Sequence, residues 1–206
     1  MVGTGRNETA LRQLQADGHI VNFVVADVTQ PGQCQAVVTA AAKLMGGLTT
    51  LVNAAGVLYG GAMGNVDMDN YHKNMVCNTQ APFELVMHAI PFLKQQPQQQ
   101  QQPSSSQQQH ETVTPSIVNV SSVNGKQSFA GCVSYCMSKA ALDQFTRCAS
   151  VDLAPFGIRV NAVNPGVIET NLQKVCIRVR ATQVFVNTAC FHCAMQYHES
   201  QCFSTI

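Results

Sequence analysis

The fold of this chain is decided by residues 20–56, which read IVNFVVADVTQPGQCQAVVTAAAKLMGGLTTLVNAAG. Residues 20–27 are apolar and rich in β-branched side chains, which is typical of a parallel strand covered on both faces. Residues 31–45 predict a helix and residues 49–53 a second strand, which is followed by the small-residue turn Ala54–Gly56. This order of elements indicates a crossover unit within a parallel sheet.

The same alternation continues on both sides of this unit. Residues 8–18 carry leucines at 11 and 14 among polar residues and end on glycine, which predicts an amphipathic helix. Because ligands of doubly wound sheets lie at the carboxyl ends of the strands, the turns that follow the strands should form one functional edge. The remaining predicted elements are a helix over 71–93, a strand over 116–121, a helix over 134–153 and a strand over 158–163.

Composition favours a globular protein that acts on a small molecule. The chain has 206 residues, 46% of them hydrophobic, which suits one domain with a sizeable core. Lys plus Arg number 12 and Asp plus Glu number 11, so the net charge of +1 gives no reason to expect a nucleic-acid or acidic-membrane partner. A neutral small-molecule partner suits this charge balance better.

The cysteines and the lengths of the apolar runs indicate in which cellular compartment the protein resides. The 9 cysteines are odd in number and scattered through predicted helices and strands, which favours reduced thiols over a disulfide framework. The chain opens with no leader-like pattern, and no apolar run reaches the roughly 20 residues that span a bilayer. We therefore expect a soluble, cytoplasmic protein.

Two segments depart from the α/β pattern. Residues 95–115 are rich in glutamine with proline and serine, a composition that buries little apolar surface and predicts a disordered insertion. A surface loop tolerates such an insertion because the cost of loop closure grows only as the logarithm of loop length. An interaction role for this tract is the alternative to an inert expansion. Residues 173–206 form a divergent tail.

Four residues of the tail imitate a zinc knuckle. Thiolate and imidazole groups are zinc ligands, but the last spacing is one residue short and the tail contains no glycine. We therefore predict no metal site, and a zinc-binding tail remains the weaker alternative. The four residues are Cys190, Cys193, His198 and Cys202.

Candidate chemistry lies at three residues. Tyr135 and Lys139 are four apart in YCMSK, within a predicted helix, so their side chains share one face. A nearby ammonium favours the tyrosinate and suits the phenol to acid and base catalysis. Ser122 follows a predicted strand, where its hydroxyl can hydrogen-bond a substrate carbonyl oxygen. Taken alone, a tyrosine and a lysine at this spacing are far more often a solvated pair.

Several short motifs place these residues in a wider pattern. In chain order they are ADV at 26–28, NAAG at 53–56, VCNTQAPF at 76–83, VNVSSVNG at 118–125, YCMSK at 135–139 and NPGVIET at 164–170. Together they resemble the short-chain dehydrogenase/reductase family over most of residues 1–172. The stretch from 122 onward is most similar to animal reductases that resemble bacterial 3-oxoacyl carrier-protein reductase.

The resemblance implies an α/β, Rossmann-like doubly wound parallel sheet and a nicotinamide-dependent oxidoreductase. Tyr135 would exchange a proton with the substrate, and Ser122 would orient the carbonyl. Lys139 would tune Tyr135 and bind the nicotinamide ribose. Asn78 would hold a water that relays the proton to solvent. The substrate implied is a small carbonyl compound or alcohol, and the full-length family form implies a homo-oligomer.

The resemblance also implies a cofactor site along the functional edge. Asp27 would meet the adenine, residues 53–56 would line the cofactor floor, and residues 165–170 would hold the nicotinamide amide. The complete set of cofactor-binding residues is Arg6, Asp27, Val28, Asn53, Ala54, Ala55, Gly56, Tyr135, Lys139, Pro165, Gly166, Ile168 and Thr170.

Cofactor choice depends on Gly5 and Arg6. Gly5 stands where relatives that prefer NAD carry an acidic residue for the ribose hydroxyls, and Arg6 can pair with a 2′-phosphate. NADP(H) is therefore favoured over NAD(H). The alternative is that Arg6 is a solvated residue at the start of a helix.

The sequence departs from the family at both ends. The family's first strand and its Thr-Gly-x-x-x-Gly-x-Gly turn, whose amides meet the pyrophosphate, are not found in it. That strand is central, between the strand that leads into Arg6 and residues 49–53, so we expect the sheet to split. Two open edges would then favour aggregation or instability.

Two hypotheses of different classes follow. The first is an NADP(H)-dependent oxidoreductase that works through Ser122, Tyr135 and Lys139. The second is a catalytically silent truncated member of the family that acts, if at all, as a non-enzymatic partner. Because the glycine-rich turn is missing, the second hypothesis expects the chain to be inactive.

Overall fold

The computed structural model describes residues 1–95 and 114–166, and every strand within them runs parallel to its neighbour. The strands form one sheet of two and one sheet of three. The first sheet pairs β1 (Val2–Gly5) with β2 (Asn22–Val25), and the second has the order β3 (Thr50–Asn53), β4 (Ser116–Val120), β5 (Arg159–Val163).

The division into two sheets confirms the predicted split. In the part of the chain that the structure describes, β1 pairs only with β2 and β3 pairs only with β4, so each keeps one open edge. Val25 and Val52 are 45% and 54% exposed. These are apolar side chains that a complete doubly wound sheet would cover.

The helices alternate with the strands as predicted. The single helix expected over 71–93 begins earlier and is divided by a π-helical segment, Val76–Gln80. None of the helices in the two described ranges has the length and hydrophobicity needed to cross a membrane. The helices are α1 (Glu8–Ala16), α2 (Gln33–Met45), α3 (Met68–Met75), α4 (Ala81–Lys94) and α5 (Val133–Leu153), with 3₁₀ turns at Val123–Gly125 and Ala154–Phe156.

Local sequence sets several helix ends. The Asn7 side chain accepts a hydrogen bond from the Ala10 N–H at 3.0 Å, and the Asp67 side chain accepts one from the Asp69 N–H at 3.0 Å, so each satisfies an amide at a helix start. Gly46 ends α2 at a φ of 69°, a left-handed conformation that glycine adopts without a Cβ clash. The helix boundaries therefore follow from ordinary capping chemistry.

One apolar core joins the two sheets. α2 packs against β1, β2 and α4, and α4 also packs against β3, so the same pair of helices covers both sheets. Leu93 of α4 and Ile117 of β4 are 1% and 0% exposed within this core. Burial of apolar area is the main force that holds the sheets in one domain where no strand pairing does so.

The domain limits predicted from the sequence, at residues 1–172 and 173–206, stay a prediction. The tail lies outside the described residues, and so does the glutamine-rich insertion apart from residues 95, 114 and 115. The cysteines and histidine of the imitated zinc knuckle lie in the tail, outside the described residues too.

Candidate active site

Lys139 occupies a buried position on α5. The residue is 4% exposed, and its Nζ donates a hydrogen bond to the Val120 carbonyl at 2.9 Å, at the end of β4. Burial lowers the pKa of Lys139 to about 8, while Cys77 and Asp143 oppose part of that decrease. Lys139 thus sits at the carboxyl edge of the second sheet with a charge that changes in the mildly alkaline range.

Tyr135 lies one turn before Lys139 on the same helix. Its ring centroid is 5.9 Å from the Lys139 Nζ, and the residue is 5% exposed. The side chains therefore share one face of α5, as the four-residue spacing predicts. The Lys139 ammonium thus lies near the Tyr135 ring, on the side of α5 that faces the end of β4.

Asn78 is fully buried in the π-helical segment and holds the chain after β3. Its Oδ1 accepts from the Val57 N–H at 2.8 Å, and its Nδ2 donates to the Val57 carbonyl at 2.9 Å. The same Nδ2 donates to the Ser138 Oγ at 3.0 Å, which joins it to the residue before Lys139. Asn78 therefore connects the turn after β3 to α5.

Gly56 lies beside both the Asn78 amide and the Lys139 ammonium. A Cβ added at Gly56 would lie 3.4 Å from the Asn78 Oδ1 and 3.6 Å from the Lys139 Nζ. The absence of a side chain leaves a cradle beside the lysine ammonium, where backbone can approach a bound ligand closely. The turn after β3, the π-helical segment and α5 meet at this point, as the carboxyl-edge argument predicts.

Ser122 stands just beyond β4 and begins a 3₁₀ turn. Its Oγ donates to the Asn124 Oδ1 and accepts from the Asn124 N–H, both at 3.2 Å. The Asn124 Nδ2 contacts the Cys136 Sγ at 3.5 Å, next to Tyr135. Asn124 was not singled out in the sequence, and it connects the loop that carries Ser122, residues 121–125 (the serine loop), to the start of α5.

The residues predicted at the adenine end lie together at the ends of β1 and β2. The Arg6 guanidinium is 3.7 Å from the Asp27 carboxylate, and its side chain is 73% exposed. Hydrogen bonds from the Thr29 hydroxyl and amide lower the pKa of Asp27, with a smaller contribution from Arg6. An exposed ion pair of this kind contributes about 0–1 kcal/mol, so Arg6 is available to a ligand.

The other predicted cofactor residues are spread along the same edge. Asn53 is buried and donates from Nδ2 to the Asn119 Oδ1 at 2.8 Å, while its own Oδ1 has no hydrogen-bond partner among the described residues. Ala54 and Ala55 are exposed, whereas Val28 packs against the core. An unpaired buried oxygen at the end of β3 fits a site that accepts a hydrogen bond from another group.

The segment after β5 is described only in part. The Pro165 carbonyl accepts a hydrogen bond from the Val123 N–H at 3.0 Å, which places it beside the loop that carries Ser122. Gly166 follows with intermediate exposure. Ile168 and Thr170 lie outside the described residues.

Sequence reasoning missed a second asparagine clamp one turn before Asn78. The Asn74 Oδ1 accepts from the Tyr59 N–H at 3.1 Å, and its Nδ2 donates to the Tyr59 carbonyl at 3.0 Å and the Ser134 Oγ at 2.9 Å. Ser134 precedes Tyr135, so this clamp repeats the Asn78 arrangement one turn away. The sequence contains a pattern that could have identified Asn74, because it lies four residues before Asn78 and residues at this spacing share one helix face.

A second missed group surrounds Asp143, one turn after Lys139. The Asn164 Nδ2 donates to both Asp143 carboxylate oxygens at 3.0 and 3.1 Å, and the Lys126 Nζ lies 3.1 Å from Oδ2. A carboxylate four residues after the candidate lysine is visible in the sequence. Its partners are not, because they come from two distant loops.

Comparison with known proteins places this chain in a family. A family model described as short chain dehydrogenase matches residues 2–178. A 2,5-dichloro-2,5-cyclohexadiene-1,4-diol dehydrogenase from Sphingobium indicum is 30% identical over 158 residues, which cover 77% of this chain and 57% of that protein. A 3-alpha-(or 20-beta)-hydroxysteroid dehydrogenase from Mycobacterium bovis is 30% identical over 148 residues, covering 72% and 51%. The chain thus spans about half the length of these curated relatives.

Solved structures agree with the sequence comparison. A short-chain dehydrogenase/reductase of unknown function from Caenorhabditis elegans, solved with cofactor, is 33% identical with a TM-score of 0.68 and covers 84% of this chain and 62% of that one. A short-chain dehydrogenase from Streptomyces avermitilis is 30% identical with a TM-score of 0.69, covering 83% and 57%. The chain belongs to the short-chain dehydrogenase family.

Proposed function

We propose that this chain carries the reaction centre of an NADP(H)-dependent oxidoreductase that interconverts a carbonyl compound and a secondary alcohol. The observation that carries the proposal is the meeting of Tyr135, Lys139, Asn78 and the Gly56 cradle at one sheet edge. Two relatives, named for a cyclohexadiene diol and for hydroxysteroids, support a cyclic secondary alcohol or ketone as substrate.

The proposed chemistry follows from the side chains. In carbonyl reduction, Tyr135 gives its phenolic proton to the carbonyl oxygen as the carbonyl carbon accepts a hydride, and alcohol oxidation reverses both transfers. The Ser122 hydroxyl hydrogen-bonds the reacting oxygen, and the Lys139 ammonium stabilises the tyrosinate. Asn78 keeps the turn after β3 in place, and we assign to it the binding of a water that relays the proton between the site and solvent. A nicotinamide, when bound, supplies or accepts the hydride.

The residues present fit the two ends of such a cofactor. The cradle at Gly56 and the buried Lys139 ammonium suit the nicotinamide ribose, and the Asn53 Oδ1 can accept a hydrogen bond. Arg6 is exposed at the end of β1, where its guanidinium can pair with a 2′-phosphate, so we favour NADP(H) over NAD(H). Replacing Arg6 with Gln should weaken NADPH binding and leave NADH binding unchanged.

The rival hypothesis is a catalytically silent family member. It is less favoured because the chain keeps a buried lysine and two buried asparagines, each hydrogen-bonded to its own partners, and burial of such polar groups is costly in a domain without a use for them. A cytoplasmic location is part of our proposal, and the described cysteines, which include the buried Cys34 and Cys77, form no disulfide with one another. A homo-oligomeric form is part of the same proposal.

The deciding experiment uses the 206-residue chain. NADPH and NADH are each titrated into the protein while protein and cofactor fluorescence are recorded, which measures binding. Turnover is measured by the nicotinamide absorbance in the presence of a panel of cyclic alcohols and ketones. We expect NADPH to bind and at least one compound to react, with a loss of about 10²-fold or more in Tyr135→Phe. Tyr71→Phe on α3 is the matched control and should keep full activity. A folded chain that binds neither nucleotide favours the silent alternative.

A further inference from the structure

Asp143 occupies the centre of a buried polar network that the proposed reaction does not yet use. The residue is 3% exposed and lies one turn after Lys139 on α5. Both carboxylate oxygens accept from the Asn164 Nδ2, at 3.0 and 3.1 Å, and Oδ2 lies 3.1 Å from the Lys126 Nζ. A buried carboxylate is stable only with such partners, so its position is closely determined.

Asn164 extends this network to the serine loop. Its Nδ2 also donates to the Ser122 carbonyl at 2.9 Å, and the residue is 1% exposed just beyond β5. One amide group therefore contacts the Asp143 carboxylate and the backbone of Ser122 together. The carboxylate attracts the amide N–H groups and so fixes the amide in the orientation that holds Ser122.

The serine loop also packs directly on the turn of α5 between Lys139 and Asp143. A Cβ added at Gly125 would lie 2.6 Å from the Asp143 Oδ2 and 2.9 Å from the Lys139 carbonyl oxygen. The Ser121 Oγ donates to the same Lys139 carbonyl at 3.3 Å. The loop that carries Ser122 and the helix that carries Lys139 are thus in contact on the face where Asp143 lies.

We propose that Asp143 is a positioning residue of this site, which holds Ser122 through Asn164 and places a negative charge on the helix turn beside Lys139. The proposal deepens the oxidoreductase assignment and rests on it for its catalytic meaning. Its physical content is independent of catalysis, because it concerns the orientation of one loop and the charge state of one lysine.

The electrostatic part involves few groups. Lys139 faces Tyr135 and Asp143 on its own helix and Cys77 on the π-helical segment. Burial lowers the pKa of Lys139, and both Cys77 and Asp143 raise it. Lys126, whose side chain is 36% exposed, partly neutralises the Asp143 charge. Loss of the Asp143 charge should therefore lower the pKa of Lys139 further.

The test measures the pKa of Lys139 by NMR in the full chain with ¹³C-labelled lysine, using Lys139→Met to assign its resonance. We expect Asp143→Asn to lower this pKa by about 0.5–1 unit and to shift the amide signals of residues 121–125. Asp152→Asn removes an exposed carboxylate from the same helix and is the matched control, with no expected effect at screened long range. Equal pKa values in the two folded variants would overturn the electrostatic role, and unmoved loop amides would overturn the link to Ser122.

Two further variants keep the proposal testable. Asn164→Ala should move the loop amides and leave the pKa of Lys139 unchanged, which separates the two effects. If Asp143→Asn does not fold, the Lys126→Met variant is used instead. Without the Lys126 ammonium the Asp143 carboxylate is no longer neutralised, so the pKa of Lys139 should rise. A lower or unchanged pKa of Lys139 in this variant contradicts the proposal. No measurement needs cofactor or substrate, so absence of turnover would count against the proposed function alone.

Discussion

Asn78 binds both backbone polar groups of Val57, accepting from its N–H at 2.8 Å and donating to its carbonyl at 2.9 Å. In a β-sheet the N–H and the carbonyl of a residue are hydrogen-bonded by the backbone of a neighbouring strand, whereas here a side chain forms both hydrogen bonds. The turn after β3 therefore needs no neighbouring strand to keep its shape. Its conformation at Val57 depends on the buried Asn78 amide group, just as the conformation at Tyr59 depends on that of Asn74.

We expect Asn78→Leu to destabilise the protein by about 2–4 kcal/mol. The substitution keeps the size of the side chain but leaves the Val57 amide and carbonyl without partners in a buried setting. Urea unfolding followed by circular dichroism measures the change. Gln80→Leu, which removes an exposed amide from the same π-helical segment, should change the free energy of unfolding by less than about 0.5 kcal/mol. Equal effects in both variants would contradict the buried role of Asn78.

Gly125→Ala should displace the loop that carries Ser122. The new Cβ would meet the Asp143 Oδ2 at 2.6 Å and backbone of Lys139 at 2.9 Å, and neither can move without loss of its own contacts. We expect a loss of about 1–3 kcal/mol in stability and large amide shifts in residues 121–125. Gly5→Ala in β1 is the control, because a Cβ there meets nothing within 4 Å. A neutral Gly125→Ala variant would show that the loop is not packed as described.

Lys139 should make the protein less stable at neutral pH than at alkaline pH. Its pKa falls from 10.5 to about 8 on folding, which corresponds to about 3 kcal/mol. Below pH 8 both states are protonated and the full cost is present. Between pH 8 and 10.5 the unfolded state binds more protons, so stability rises with pH.

The measurement compares wild type with Lys139→Met across this pH range. The variant should be the more stable protein at pH 7, and the difference should shrink toward pH 10.5. The comparison is needed because Cys34, whose pKa burial raises to about 11 from 9.0, contributes the opposite slope in both proteins. A pH-independent difference between the two proteins would show that Lys139 is not desolvated.

The open edge of β3 should be visible in hydrogen exchange. β4 pairs with a strand on each side, whereas β3 pairs on one side within the described residues. Alternate amides of Thr50–Asn53 therefore lack a strand partner and should exchange at least about 10-fold faster than those of Ser116–Val120. Uniform protection across both strands would mean that another segment covers this edge.

The element pattern was predictable because each strand and helix carries its own periodicity. Residues 116–121 and 158–163 were predicted within one residue of the observed β4 and β5. The division of the helix over 71–93 was not predictable, because a π-helical segment changes the hydrogen-bond pattern without changing the apolar content. Pro82, which has no N–H to donate, lies in the first turn of α4 just after this segment.

The candidate site divides in the same way. Tyr135 and Lys139 were predictable because their relationship lies within one helix, and Ser122 because parallel strands end at one edge. Asp143 and Asn164 were not, because their meeting depends on the packing of α5 against the end of β5. The pairing of Arg6 with Asp27 likewise joins the ends of two strands that are adjacent only in the folded sheet.

The π-helical segment Val76–Gln80 makes the site sensitive to chain length. An α-helix turns by about 100° for each residue, and α3 and α4 are continuous with this segment at its two ends. Deletion of one residue such as Thr79 would restore a regular helix and rotate Asn74 and Asn78 away from their partners while α4 stayed in the core. The rotation of α3 relative to α4, which the extra residue of the π-helical segment sets, therefore determines the geometry of this site as much as its side chains do.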